Sequence, residues 1–335
     1  MTPERKFYPR GFQHIYQISA DKSLLFCTIA DMILLFTLIC TYARKYNIRI
    51  TQLCIMFNHF HIQISAERLE DLESFISAVN WAYALIYNKH YGIKGQVFRH
   101  SYGSAPKWQP AGISGNWIYI ANNPVGKKAV QDAWDYRWNF LRYCPDHPQS
   151  KHPFSEEYNP LDASKEMLYL VKTVKNRAKE GKYISYDFFD SDKYTCLIEK
   201  ERKQLLDIII SEYNVIDYEP LLMKYGSINQ FCRVLKEITG NEYDIDDDWE
   251  PEDYRHYTRM IAIAAEEGYD LRKERLKWSG NFPYQQADIG KKAVRKNLKA
   301  DNALMSDEMA YRLIRRFRNE VRATDVELRK FMRVG

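Results

Sequence analysis

Residues 49–65, RITQLCIMFNHFHIQIS, decide the fold of this chain. The first part, RITQLCIM, is rich in β-forming residues, Asn58 interrupts the run, and FHIQI follows as a second run of the same kind. We therefore predict two consecutive strands. Side chains two apart on a strand point to the same face. His59 and His61 then lie side by side, while Phe60 between them packs into the core.

The flanking sequence extends this pair of strands into a larger unit. Residues 11–19 (GFQHIYQIS) and 94–104 have strand composition, and helical spacing of apolar residues runs over 28–46 and over 69–91, where Gly92 ends it. A short helix is predicted over 115–122, before Pro124. The order β-α-β-β-α-β plus a helix is typical of the split βαβ, ferredoxin-like arrangement. The predicted fold class is α+β, with an antiparallel sheet and helices on one face.

The rest of the chain is predicted to be mostly helical. Residues 144–160 contain four prolines and many polar residues, which excludes a helix or a central strand there. We expect three segments: a first domain over 1–145, a Pro-rich linker over 146–162 and a helical domain over 163–335. Helices are predicted at about 163–181, 196–213, 218–239, 251–273 and 303–333.

Charge is distributed unevenly along the 335 residues. The overall net charge is +5, but it is +7 over residues 1–145, −9 over 146–290 and +7 over 291–335. Basic ends around an acidic middle indicate surfaces that can meet a polyanion, although surface charge also varies without such a role. The predicted phosphate contacts are Arg10, Arg99, Lys127, Lys128, Arg315 and Arg316.

Two features bear on the cellular location. The six cysteines are scattered without a CxxC pair, so nothing predicts a disulfide framework or a zinc ribbon. The apolar stretch LLFCTIADMILLFTLICTYA (24–43) imitates a membrane span, but it contains Asp31, which is costly in lipid. We interpret it as a loop followed by a buried helix. The expectation is a cytoplasmic, nucleoid-associated protein with no membrane partner.

Four residues in two places suggest chemistry. His59 and His61 can bind one divalent cation, although chance pairs of histidines on strands are common. Tyr119 and Asn123 are four apart and share a helix face, so a phenol and an amide carbonyl can point at the same cation. On spacing alone, Tyr119 is better explained as a core residue beside Trp117 and Ile118.

The motifs resemble those of the single-tyrosine HUH family, which includes the REP-associated tyrosine transposases and the small transposases of the simplest insertion sequences. That family has a Met-Pro-Asn-His-x-His run, here Met56-Phe57-Asn58-His59-Phe60-His61. It has a helix end matched by Tyr83, Tyr87, Asn88, Lys89, His90 and Gly92. Its last signature, Tyr-Ile-x-x-Asn-Pro-Val, is matched by residues 119–125. The three matches occur in the family's order over roughly residues 8–143.

This sequence also departs from the family pattern. Phe57 stands in place of the usual proline, and the family's Trp-Gln-x-Arg-Phe run is replaced by residues 97–102 (VFRHSY), where Arg99 can substitute for the displaced arginine. The later Trp-Ser-Ser motif is replaced by residues 138–140 (WNF). The resemblance says little about the longer C-terminal half.

The resemblance implies a reaction, a metal cofactor and a partner. It implies that Tyr119 attacks a DNA phosphodiester and becomes linked to the 5′-phosphate, and that His59, His61 and Asn123 hold Mg²⁺ or Mn²⁺. The implied partner is single-stranded DNA, with hairpins, and a homodimer is possible. Mixed nitrogen and oxygen ligands suit Mn²⁺ and tolerate Mg²⁺. No phosphate-binding GxxxxGK[ST] loop occurs, as expected when rejoining needs no ATP.

Several alternatives stay open. The domain can be an inactive, hairpin-binding regulator, or a metal-dependent phosphodiesterase that uses water in place of Tyr119. Cys144, His147 and His152 form a second, weaker candidate metal site. In the C-terminal region, Ser306 and Thr324 can cap two helices. These helices either resemble part of a helix-turn-helix or form a basic surface that packs on the acidic middle of the chain.

Overall fold

A computed structural model describes residues 6–99, 101–238, 252–278 and 305–333. The first half contains a four-stranded sheet and three long helices, and the second half is helical. In chain order, the elements are β1 (Phe12–Ile18), α1 (Ile29–Lys45), β2 (Arg49–Ile55), β3 (His59–Ser65), α2 (Leu69–His90), β4 (Gly103–Lys107), α3 (Pro110–Gly126), α4 (Lys165–Lys179), α5 (Tyr186–Phe189), α6 (Asp192–Thr195), α7 (Glu199–Tyr213), α8 (Glu219–Tyr225), α9 (Ile228–Ile238), α10 (Tyr254–Glu266), α11 (Asp307–Arg316) and α12 (Asp325–Met332).

The sheet has the strand order β2-β3-β1-β4, and every pair of neighbours is antiparallel. This order confirms the predicted ferredoxin-like α+β fold. On one face, Phe60, Ile62 and Ile64 of β3 pack into the main apolar core together with residues of α1 and α2. The alternate residues of β3, His61 and Gln63, point to the opposite face, which α3 crosses.

Helix α1 is buried on nearly all sides, which explains why its sequence imitates a membrane span. One side packs on α2, and another packs on α5 and α7 of the helical half. Thr37 marks the second contact, because its hydroxyl accepts a hydrogen bond from the backbone N–H of Ile184 at 3.1 Å. A helix that is apolar all round is expected where both sides are covered. No helix of the described residues is long and apolar enough to cross a membrane.

The helical half also covers an edge of the sheet. Asp217 donates a backbone hydrogen bond to Ile50 of β2 at 2.7 Å, and its side chain pairs with Arg49 at 2.5 Å. Covering an edge strand removes a site for unwanted pairing. One apolar core therefore includes residues on both sides of position 145. The division into three segments stays a prediction.

Residues 252–278 and 305–333, here called the C-terminal segment, form a second apolar cluster. It packs α10, α11 and α12 against Leu24, Met56 and Ile120 of the first half. Ser306 and Thr324 cap α11 and α12, as predicted, and Thr324 forms a full capping box with Glu327. Residues 239–251 and 279–304 lie outside the described residues. They include the predicted starts of the helices at 251 and 303, and the first part of the basic stretch 291–335.

Three sequence predictions about elements are wrong. The strand expected over 94–104 lies instead at Gly103–Lys107, where pairing with β1 holds a sequence of low β propensity at the edge of the sheet. The single helix expected over 218–239 is divided into α8 and α9 at Gly226, which has a φ of +80°. The helix expected over 115–122 is longer and begins at Pro110, whose fixed φ suits a first helical position.

Candidate active site

The centre of the site is His61, on the sheet face that α3 crosses. Its Nε2 lies 3.3 Å from Nδ2 of Asn123, and its Nδ1 lies 3.0 Å from Nε2 of His14 on the neighbouring strand. His59, two residues earlier, has its ring centroid 4.9 Å from that of His61. His59 and His61 therefore lie on the same face of the sheet, as predicted.

Helix α3 brings Tyr119 and Asn123 to the same place. The Tyr119 ring lies 5.3 Å from the His61 ring and 5.5 Å from the His14 ring, in edge-to-face geometry with both. Asn116, one turn earlier on α3, accepts a hydrogen bond from Gln63 of β3 at 2.9 Å and fixes the helix on the sheet. A phenol, an amide and imidazoles thus converge over the sheet.

Burial keeps His14 and His61 uncharged. Desolvation, and then the nearby charge of Lys107, lowers the pKa of His14 from 6.5 to about 3. Desolvation also lowers the pKa of His61 well below its usual value, with further contributions from His59, His14 and Lys127. Neutral imidazole is the form that binds a metal ion. The site therefore keeps His61 ready as a ligand at neutral pH.

A hydrogen-bond chain orients His59. Its Nδ1 lies 2.6 Å from Oδ1 of Asn58, and the Asn58 amide donates from Nδ2 to the backbone carbonyl of Lys22 at 3.1 Å. The donation to a carbonyl identifies Oδ1 as the atom that faces His59. Nδ1 of His59 must then carry the proton, so the lone pair of the ring is on Nε2.

Asn123 fits the role of an oxygen ligand. Among the side chains that the structure describes, its Oδ1 is one of the buried oxygens without a hydrogen bond. Buried polar atoms are normally satisfied, so an unsatisfied amide oxygen on a side chain whose Nδ2 lies 3.3 Å from His61 Nε2 suits a cation ligand. The set of two imidazoles and one amide oxygen leaves open positions for phosphate oxygens. Within the described ranges, no group of three or more His, Cys, Asp or Glu side chains has metal-binding geometry.

The alternative site at Cys144, His147 and His152 is not assembled as a metal centre. Cys144 is buried, and burial raises its pKa to about 11, which disfavours the thiolate that binds metals. His147 packs edge-on against Trp134 at 4.7 Å instead. His152 lies on the wall of a separate cavity of about 640 Å³ between residues 143–158 and α7.

The predicted phosphate contacts of the first half differ in their exposure and in their neighbours. Lys127 ends α3 and is close enough to affect His61, whereas Lys128 next to it is exposed. Arg99 is exposed, and its backbone pairs with Ile18, which is opposite His59 in the sheet. Arg10 is exposed and pairs with Glu67 at 3.3 Å.

The two arginines of α11 differ. Arg316 contacts three carboxylates, at 2.6 Å from Glu266, 2.9 Å from Glu267 and 2.6 Å from Glu320. Arg315 is exposed. The contacts of Arg316 agree with the interpretation in which this basic helix packs on acidic neighbours. A DNA contact by Arg315 stays a prediction.

Two residues of the site were missed from the sequence. His14 and Tyr16 alternate on β1, and their shared face could have been recognised from the strand pattern around Ile15. The Tyr16 ring lies 6.2 Å from the His61 ring and is partly exposed. It lies across β4 at Gly103, where any Cβ would overlap the ring. Tyr16 therefore has a fixed position at the mouth of the site.

Comparison with known proteins finds similarity for part of the chain. Residues 27–109 match a family model described as "Transposase IS200 like". This part of the chain is similar to IS200-like transposases. This match confirms the family resemblance that the motifs indicated. It includes His59 and His61, and it ends before Tyr119.

Solved structures similar to part of the chain include two transposases. A REP-associated tyrosine transposase bound to a REP hairpin is 16% identical, over 41% of this chain and 81% of that chain, with a TM-score of 0.34. A putative transposase from Deinococcus radiodurans R1 is 16% identical, over 36% of this chain and 97% of that chain, with a TM-score of 0.27. No curated protein matches the chain.

Proposed function

We propose that the first half of the chain cleaves and rejoins single-stranded DNA next to a hairpin, with Tyr119 as the nucleophile and a divalent cation as cofactor. The observation that carries this proposal is the convergence of three groups. The Tyr119 ring lies 5.3 Å from the His61 ring, and Asn123, one turn further along α3, reaches His61 Nε2 at 3.3 Å. A nucleophile and metal ligands thus come from one helix and one strand.

In the first step, Oη of Tyr119 attacks the scissile phosphorus. A bond forms between that oxygen and the phosphorus, the bond from phosphorus to the 3′ oxygen breaks, and the proton lost by the phenol balances the one gained by the new 3′-hydroxyl. The DNA 5′-phosphate stays on Tyr119. In the reverse direction, a 3′-hydroxyl of another strand end attacks the phosphotyrosine and frees Tyr119. The number of phosphoester bonds is unchanged, so rejoining needs no external energy.

The residues of the site fit a bound Mg²⁺ or Mn²⁺. His59, His61 and Asn123 would hold it, since each offers a neutral nitrogen or an amide oxygen on the same side of the sheet. The cation would polarise the scissile phosphate and stabilise charge that develops on its oxygens. Because a free phenol has a pKa of about 10, the attack by Tyr119 depends on this stabilisation.

The surroundings of the site favour an unpaired strand as substrate. Tyr16 and Trp108 are exposed aromatic residues on β1 and directly after β4. Bases of single-stranded DNA stack on such rings, while basic side chains contact the phosphates. The predicted phosphate contacts for this strand are Lys127, Lys128, Arg99 and Arg10. A duplex cannot bend a phosphate into a site between a helix and a sheet without first being opened.

Trapping of the covalent intermediate tests this proposal. The wild-type protein, incubated with Mn²⁺ and a library of labelled single-stranded hairpin oligonucleotides, should give a protein–DNA adduct on a denaturing gel. Tyr119→Phe removes one oxygen and should abolish the adduct while DNA binding continues. Tyr16→Phe is a matched control, because it removes a phenol that is also close to His61 but is not on α3.

Three outcomes would contradict the proposal or part of it. An adduct that persists in Tyr119→Phe and disappears in Tyr16→Phe would assign the nucleophile to the other tyrosine. Metal-dependent cleavage without any adduct would favour a phosphodiesterase that uses water. Hairpin binding without cleavage would favour an inactive regulator.

A further inference from the structure

The C-terminal segment contacts the motif that carries the two metal-binding histidines. The hydroxyl of Tyr254, the first residue of α10, donates a hydrogen bond to Oδ1 of Asn58 at 3.0 Å. Asn58 Oδ1 is also the atom that faces Nδ1 of His59 at 2.6 Å. We propose that Tyr254 is a positioning residue of the metal site, which acts on His59 through Asn58. The inference rests on the proposed function, because it concerns the same cation.

The hydrogen-bond directions support this role. The Asn58 amide is fixed by its Nδ2, which donates to the carbonyl of Lys22. Its Oδ1 therefore accepts from two sides, from the Tyr254 hydroxyl and from Nδ1–H of His59. A histidine that ligates a metal through one ring nitrogen typically donates from the other, and this second contact fixes the tautomer and ring orientation. Tyr254 stabilises the acceptor that performs this function.

The same residue also holds the end of the helix that carries Tyr119. The backbone N–H of Tyr254 donates to the carbonyl of Lys127, the C-cap of α3, at 3.0 Å. One residue thus contacts both parts of the site, the strand with the histidines through its side chain and the nucleophile helix through its backbone. This double contact makes α10 a support of the active-site geometry.

Tyr254 is itself rigidly placed. It is fully buried, and its ring packs against that of Phe57 with centroids 5.3 Å apart. Its neighbour Asp253 donates from the backbone to Glu327 of α12 at 2.8 Å. Because Glu327 also forms the capping box of α12, the position of Tyr254 depends on the whole C-terminal segment. The chemistry of the first half therefore depends on a region that lies beyond the family match.

A pair of conservative variants tests the proposal. Tyr254→Phe removes the hydroxyl and keeps the ring. Tyr257→Phe is the matched control: Tyr257 is buried on the same helix and packs near Phe57, but its hydroxyl donates to Glu252 at 3.0 Å. The affinity for Mn²⁺ alone is measured by calorimetric titration, without DNA. Loss of a contact in the outer shell of a metal site typically weakens metal affinity by 10–100-fold.

The expected result is Mn²⁺ affinity about 10-fold weaker in Tyr254→Phe and unchanged in Tyr257→Phe. In addition, ¹⁵N NMR of the His59 imidazole should show a shift toward a mixture of tautomers only in Tyr254→Phe. A purely structural tyrosine would lower the unfolding midpoint without moving this signal. Unchanged Mn²⁺ affinity in Tyr254→Phe, or equal weakening in both variants, would overturn the proposal.

Failure of the role of Tyr254 can be distinguished from failure of the proposed function. If wild-type protein forms the Tyr119 adduct and binds Mn²⁺, but Tyr254→Phe binds Mn²⁺ equally well, only the role of Tyr254 is wrong. If wild-type protein neither binds Mn²⁺ nor forms an adduct, the proposed function itself fails.

Discussion

His14 and His61 lie on neighbouring antiparallel strands, with Nε2 of the first 3.0 Å from Nδ1 of the second. If Nε2 of His61 held the proposed cation, its Nδ1 would carry the proton and donate to His14. His14 is then the contact that orients His61, as Asn58 orients His59. Each candidate metal-binding histidine therefore has its own acceptor on the protein side.

This geometry predicts the effect of replacing His14. His14→Phe should weaken Mn²⁺ affinity by about 10-fold, since the orienting acceptor is lost. His14→Gln should retain more affinity because its amide oxygen can accept from His61. His147→Gln, at a histidine packed on Trp134 away from the site, is the control. Calorimetric titration with Mn²⁺ measures all three, and equal affinity of the Phe and Gln variants would refute the role of His14.

The depressed pKa values predict how stability depends on pH. An unfolded histidine has a pKa near 6.5, whereas burial lowers that of folded His14 to about 3. Between these values the unfolded chain binds the proton and the folded chain does not, so the free energy of unfolding falls as pH falls from about 6.5 toward 3. In His14→Gln, unfolding at pH 5 should take up about one proton fewer than in wild type. Urea unfolding at several pH values measures the slope of the unfolding free energy against pH. An identical slope in wild type and His14→Gln would contradict the prediction.

The two arginines of α11 predict opposite phenotypes. Arg316→Ala breaks contacts with Glu266, Glu267 and Glu320, so it should lower the thermal unfolding midpoint and leave the salt dependence of DNA binding unchanged. Arg315→Ala should leave stability unchanged. If the exposed Arg315 contacts a phosphate, its loss should reduce the slope of log K against log salt by about 0.7 for single-stranded DNA.

Fluorescence titration at several salt concentrations distinguishes the two interpretations of the C-terminal helices. An unchanged slope in Arg315→Ala would favour a basic helix whose role is to pack on acidic neighbours.

A buried ion pair between Arg275 and Asp31 predicts a large loss of stability. Both side chains are almost inaccessible to solvent, and Asp31 also accepts from the hydroxyls of Tyr91 and Tyr186 at 2.8 Å. Arg275→Met leaves a buried carboxylate without its cation, which costs about 3–5 kcal/mol of unfolding free energy. Arg272→Met, at an exposed arginine that pairs locally with Asp270, is the matched control.

Urea unfolding measures the difference between these variants. Arg272→Met should stay within about 0.5 kcal/mol of wild type. The double variant Arg275→Met with Asp31→Asn should recover part of the loss, since no unpaired charge is then buried. Equal stability of Arg275→Met and wild type would show that the pair is not coupled to folding.

The fold was largely predictable where the periodicity of apolar residues is strong. The alternation of β3 and the apolar spacing of α1 and α2 appear in the sequence with nearly the bounds that the structure has. Strand β4 was misplaced because its sequence, GSAPK, has little β propensity and forms a strand only by pairing with β1. Tertiary contacts there override local preference.

The candidate site was predictable only in part. His59, His61, Tyr119 and Asn123 were found because they belong to short motifs. The face that His14 occupies follows from the strand pattern of β1, but its position beside His61 depends on the register with β3, which the sequence does not show. Tyr254 could not be found, since its contact with Asn58 joins residues that are 196 positions apart.

The contact of α10 with Asn58 also sets an order of events during synthesis. The ribosome releases His59, His61 and Tyr119 long before it makes Tyr254, so a nascent chain that ends at α9 carries the nucleophile and the histidines without the residue that aligns them. Folding of the C-terminal segment then completes the site only after translation has passed α10. Under the proposed function, a nascent chain without α10 would therefore bind the cation more weakly than the finished protein, and cleavage of DNA during synthesis would be disfavoured.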